Sequence, residues 1–119
     1  MHKRLFMRSQ MHKLSVMYDV QLRRELPAHF AALGNPTRLR ILEWLAAAGE
    51  VSVKELAGSL RMSQPRMSWH LALLRRGGVI RQRREGRVVL CSLDLDSVRH
   101  HQSALWALLT EHRRIGVNV

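Results

Sequence analysis

The chain has 119 residues, 46% of them hydrophobic, one cysteine and a formal charge of +11. That length suits one domain with a real core and is too short for two. No run reaches the ~18 apolar residues of a membrane span, Met1 to Gln10 is too polar for a signal peptide, and the lone Cys91 forbids an intrachain disulfide framework. A soluble, cytoplasmic protein that meets no membrane is the expectation. The charge is placed unevenly: eight Arg and one Glu lie between Arg61 and Arg87, Lys3, Arg4, Arg8 and Lys13 occur without an acid, and the remainder balances. Excess gathered in this way marks a phosphate-backbone binder rather than an ordinary mixed surface.

Residues 1–15 read as a basic N-terminal arm in which Met1 to Met7 is echoed by Met11 to Met17. Either that arm lies against nucleic acid or Met11 is the true start. The domain proper is expected over 16–114, with 115–119 a tail. From Val16 to Leu33 the pattern is helical, with Val20, Leu22, Leu26, Phe30 and Leu33 as its apolar set and Pro27 either kinking it or opening its second half. Asn35 then caps a helix begun by Pro36, with Leu39, Leu42, Leu45 and Ala46 toward the core and Ile41 and a packed Trp44 widening the apolar arc. Ser52 opens a short helix in a capping box with Glu55, and Val53, Leu56, Ala57 and Leu60 share one face.

A second cap at Ser63 starts the next helix, which tolerates Pro65 in its first turn and ends at Gly77-Gly78. Met67, His70, Leu71 and Leu74 fall on one side of it; Pro65, Ser68, Trp69, Ala72 and Arg76 face the other way. One side packs and the other is free to read something. His70 has no second polar group at nucleophile or base spacing, so no enzyme is expected. Val79 and Ile80 lead into Arg81-Gln82-Arg83-Arg84, Glu85-Gly86 supplies a hairpin turn, and Arg87 to Leu93 returns as a β-branched strand. Cys91 on that strand is read as core, the alternatives being a thiol sensor or an intersubunit disulfide. Asp94 or Asp96 caps a last helix to Arg114, whose stripe of Val98, Leu105, Trp106, Leu108 and Leu109 exceeds the needs of a lone surface helix.

The segments Ala32 to Leu42, Glu55-Leu56-Ala57, Met62 to Pro65, Ser68 to Leu71, Leu74-Arg75, and Arg84 to Arg87 with Ser92-Leu93 occur in an order and spacing that resemble the ArsR/SmtB family of bacterial winged-helix repressors from about Phe30 to Leu93. The resemblance implies a mainly α winged helix-turn-helix with a small β-hairpin wing: four helices, the two wing strands and a last helix. It also implies a homodimer through the first and last helices, to which Leu22, Leu26, Phe30, Leu105, Trp106 and Leu109 would contribute. A two-fold protein calls for a palindromic duplex operator with half-sites ~34 to 36 Å apart. From the helix Ser63, Gln64, Pro65, Arg66, Ser68, Trp69 and Arg76, and from the wing Arg81, Arg83, Arg84 and Arg87, would meet the DNA. The family more often carries Arg or His at the position of Trp69; a Trp there either touches a thymine methyl or sugar, or packs on the wing.

Many members of that family sense metals. At the thiolate site Ser52 and Lys54 replace the cysteines, and the positions of the other site fall on Leu95, Ser97, Leu108 and Glu111, three of which cannot bind. No metal or other cofactor is expected, with a shifted His101 and His112 pair as the one alternative. The leading function is an operator-binding repressor released by an inducer of unnamed kind, whether small molecule, redox signal or protein. A non-specific nucleoid-type DNA binder and a protein-interaction winged helix are the competing readings.

Overall fold

The computed structural model describes residues 20–114, with side chains described as far as Glu111. The basic arm, the expected first turn of helix from Val16, the His112 side chain and the 115–119 tail lie outside the described residues. Helix α1 covers 20–33 and is continuous through Pro27, so Pro27 does not begin a separate helix. Gly34 and Asn35 make the turn into α2, Pro36–Ala48, where extended Asn35 accepts the Arg38 amide on its side chain at 3.0 Å.

The inward face of α2 is Arg38, Ile41 and Leu45. This corrects the expected set: Leu39 and Trp44 are exposed, and only Leu42 and Leu45 of the four anticipated residues pack against the core. Helical geometry forces the choice, since positions three and four apart share a face and a Leu next to a buried Arg must point elsewhere. Arg38 goes inside because carbonyl oxygens wait for it there.

Strand β1, Glu50–Ser52, was not anticipated. It pairs antiparallel with β3, Val88–Leu93, which pairs on its other side with β2, Ile80–Glu85; the sheet order is β1-β3-β2. The wing is therefore a three-stranded sheet, and Cys91 sits in its middle strand opposite Val51 and Gln82. Its thiol is fully buried and pushed upward in pKa by that burial, the Gln82 amide opposing, which leaves no accessible thiolate for a sensor. Gly86, at φ 63, takes the first place of a two-residue turn with Arg87, so Arg87 stands at the wing tip and not in the strand.

Ser52 ends β1 and caps α3, Val53–Ser59, accepting the Glu55 amide at 3.1 Å. The capping box stays half formed: the Glu55 carboxylate makes no return bond, and Ser52 is instead paired with Leu90 in the sheet. Arg61, at φ 53, turns the chain into α4, Gln64–Arg76. Ile41, Leu45, Leu56, Met67, Leu71, Leu74, Val79 and Cys91 form the fully buried centre where α2, α3, α4 and the sheet meet. Each such aliphatic side chain contributes about 1.5–3 kcal/mol.

Helix α5, Leu95–Arg114, packs against α1, with Arg23 paired to Glu111 toward its C-terminal end. At the other end the His29 ring stacks on His101, centroids 4.1 Å apart and planes 4° apart. His29 Nδ1–H donates to the Gly77 carbonyl at 2.5 Å, so α1 touches both α5 and the end of α4, while its buried Nε2 has no partner. Burial lowers the His29 pKa, the bond to Gly77 opposing and His101 adding to the depression. A group depressed in this way contributes fully above the unfolded imidazole pKa of about 6.5, and that contribution is lost as pH falls from there through the lowered value. Unfolding free energy from urea titration should decline as pH falls below about 6.5, and that of His29→Asn, which cannot titrate, should decline less steeply.

Among the described residues no helix is long and apolar enough to cross a membrane.

Candidate nucleic-acid interface

The reading surface is built on α4. Ser63 holds its first turn by accepting the Arg66 amide at 3.3 Å, and Pro65 sits where no helical hydrogen bond is lost. Met67, His70, Leu71 and Leu74 are buried, while Ser63, Gln64, Pro65, Arg66, Ser68, Trp69 and Arg76 are exposed. The buried residues press against the core that α2, α3 and the sheet supply, which fixes the direction of the exposed ones.

Between α4 and the wing runs a groove whose walls include Gln64, Ser68 and Arg75 of α4, Gln82 and Arg87 of the hairpin, and Lys54 of α3. Lys54, Arg75 and Gln82 were not among the sequence candidates. Arg75 had a signal, a basic residue in the last helical turn, but Gln82 had none: it is aligned by the Arg75 guanidinium, which donates to its amide oxygen at 2.9 Å. Arg76 is exposed but stands outside these walls.

The four wing arginines fall into two pairs. Arg83 forks onto the Glu50 carboxylate at 2.9 and 2.6 Å, and Arg81 donates to Asp94 at 3.0 Å. The hydrogen bond from Arg83 holds Glu50, and that from Arg81 holds Asp94, below the usual carboxylate range, so both acids are ionised at neutral pH. Arg84 and Arg87, like Arg66 and Arg76 on α4, have no acidic partner among the described residues. They are cations free of an acidic partner for an external anion.

Trp69 is 59% exposed. Its ring meets that of His70 edge-on at 5.0 Å and 71°, and the Arg38 guanidinium carbon lies 6.0 Å from its centroid.

The residues expected to pair two copies divide as well. Trp106 is 71% and Leu109 64% exposed, Leu22, Phe30 and Leu105 are half-buried, and Leu26 is buried within its own chain. Leu26 therefore has little surface to offer a partner, because its place on α1 turns it toward the interior. Exposed Leu95 was not foreseen. His101 is unsuited to the shifted metal pair: it is buried, its Nδ1–H donates to Ser97 O at 2.6 Å, and its Nε2 faces Glu25 at 3.2 Å. Among the described residues no three His, Cys, Asp or Glu come together as a metal site.

The geometry has close counterparts. A helix-turn-helix domain family matches residues 33–83. The crystal structure of an ArsR family transcriptional regulator is 30% identical, covering 78% of this chain and 91% of that one at a TM-score of 0.61. The solution structure of a homodimeric winged helix-turn-helix DNA-binding domain from Mycobacterium bovis is 29% identical over 78% of this chain and 84% of that one, also at 0.61. The arsenical resistance operon repressor of Escherichia coli is 43% identical over 60 residues, which are 50% of this chain and 51% of that protein. The matched parts span 49% to 64% of the length of the curated relatives. These counterparts are regulators of transcription, not enzymes.

Proposed function

We propose, on the premise that this chain belongs to the ArsR family of transcriptional regulators, that it acts as a homodimeric repressor on a palindromic duplex operator in the cytoplasm. The observation that carries this reading is the groove in which Gln64 and Ser68 of α4 face the wing-tip Arg87. Gln64 supplies an amide of the type that bonds adenine, Ser63 and Ser68 supply hydroxyls for bases or phosphates, and Arg66, Arg84 and Arg87 supply uncommitted charge for the backbone. Arg81 and Arg83, already held by acids, shape the wing more than they bind. Exposed Trp106 and Leu109 on α5 form an apolar surface that a second copy would cover.

The testing experiment is selection of bound duplexes from a random pool by the purified protein. The expected result is an inverted repeat whose halves are one helical turn apart, bound at least a thousandfold more tightly than scrambled duplex at physiological salt. Equal binding of both duplexes would replace this reading with that of a non-specific coating protein.

A further inference from the structure

Arg38 is 8% exposed, and among the described residues no carboxylate pairs with it. A buried cation needs acceptors, and Arg38 finds them at the C-terminal end of α1, where the last carbonyls of a helix are unpaired and carry its negative pole. Its Nε donates to Ala32 O at 2.8 Å and its Nη2 to Ala31 O at 3.2 Å. The third arm of the guanidinium points the other way, Nη1 donating to His70 Nδ1 at 3.3 Å. His70 is on the inner face of α4, its ring edge-on to Trp69, and the central carbon of the guanidinium lies over the Trp69 ring, 6.0 Å from its centroid. One planar group thus joins the end of α1 to two consecutive residues of α4, the second of which faces inward and the first outward. An ammonium could not do this, because it lacks donors that diverge in a plane.

We infer that Arg38 is a positioning residue that fixes the orientation of Trp69 and thereby sets the base preference at the step Trp69 meets. The inference rests on the DNA-binding reading for its consequence but not for its geometry. The arrangement requires His70 Nδ1 to carry a lone pair, and the environment supplies that condition: burial first, then the Arg38 and Arg66 charges, hold the imidazole in its neutral form. Among the described residues Trp69 has no other ring or cation-π partner. Without Arg38 the indole would keep only the edge of His70 as a ring contact.

Trp44→Phe/Trp106→Phe protein retains Trp69 as its single tryptophan, so the anisotropy decay of that residue reads its motion without DNA. The decay should show a held ring in this background and gain a fast component in Arg38→Lys. On the duplex selected by the wild-type protein, Arg38→Lys should lose about fivefold to tenfold of the discrimination at the same base pairs where Trp69→Ala loses it, the low end of a mismatch effect. Affinity for scrambled duplex should be unchanged, and the double variant should be no worse than Trp69→Ala. Equal loss on every duplex, or losses that add, would overturn the inference and leave Arg38 with a purely structural role. If Arg38→Lys does not fold, Arg38→Gln is read in the same way. A freely moving Trp69 with Arg38 in place overturns the inference without any Arg38 variant. Should the wild-type protein bind no duplex, the DNA-binding reading is what fails, and the anisotropy decay still judges the Arg38–Trp69 link.

Discussion

Replacing Arg84 and Arg87 together by Ala is expected to weaken duplex binding by at least about a hundredfold at physiological salt, each lost charge-assisted contact costing roughly 1.5–3 kcal/mol. These two side chains have no acid to satisfy them within the described residues, and Arg87 is carried at the turn of the wing where an approaching phosphate meets it first. Each phosphate contact releases counterions, so the slope of log affinity against log salt should flatten by about 0.9 for every arginine removed. The paired variant Arg81→Ala/Arg83→Ala is the informative contrast. Its arginines already spend their charge on Asp94 and Glu50, so it should change the salt slope much less while loosening the wing. Titration of a labelled duplex at several salt concentrations reads both quantities. Equal changes in slope for the two double variants would show that the internal ion pairs open on binding.

Gly77→Ala should destabilise the fold by about 2–4 kcal/mol, somewhat above the usual cost of overpacking because backbone is what it meets. A methyl group there would come within 2.9 Å of the Ala28 carbonyl oxygen and the Ala32 Cβ, and within 3.2 Å of the His29 Cα. Helix α1 cannot turn those atoms aside, so α4 must retreat, and with it the Gly77 carbonyl that accepts from His29. The cost is one of space, since Gly77 has an ordinary helical φ of −75. In a domain of this size the melting temperature should drop by ~10–20 °C. Gly58→Ala supplies the control: nothing lies within 4 Å of its added methyl, it is inside α3, and it should be neutral or gain about 0.5–1 kcal/mol. Similar losses from both would mean that α1 and the end of α4 are not packed as closely as described.

The helix-turn-helix was legible in the sequence because its signals are local. Asn35, Ser52 and Ser63 each sit one residue before a helix and each accepts the amide three positions on. The two faces of α4 followed from spacing alone, and Met67, His70, Leu71 and Leu74 are all buried. What escaped depends on partners far along the chain. Three residues of β1 carry no period to detect, and only the arrival of β3 some forty residues later makes Glu50–Ser52 a strand. The face of α2 was misjudged because hydrophobicity argues against burying Arg38, and the carbonyls that accept it belong to the preceding helix. His29 drew no notice as a lone polar residue on an apolar helix; its meaning comes from His101 and Gly77, each on a different element. On the wing, the count of arginines was plain, but which of them are neutralised was not, since Glu50 is distant in sequence from Arg83.

Asp94 alone separates β3 from α5, and it is occupied on every side. Its amide donates to Val79 O at 2.9 Å, its carboxylate receives the Ser97 amide at 3.2 Å and the Arg81 guanidinium at 3.0 Å. These bonds weld the start of the helix to the end of the strand and to Val79 and Arg81 at the root of the hairpin. In the homodimer proposed above, joined along α5, this weld would act as a caliper whose jaws are the two hairpin tips. One base pair added at the centre of a target moves its halves apart by roughly 3.4 Å and rotates them by about 35°, and a rigid gauge has no slack with which to follow.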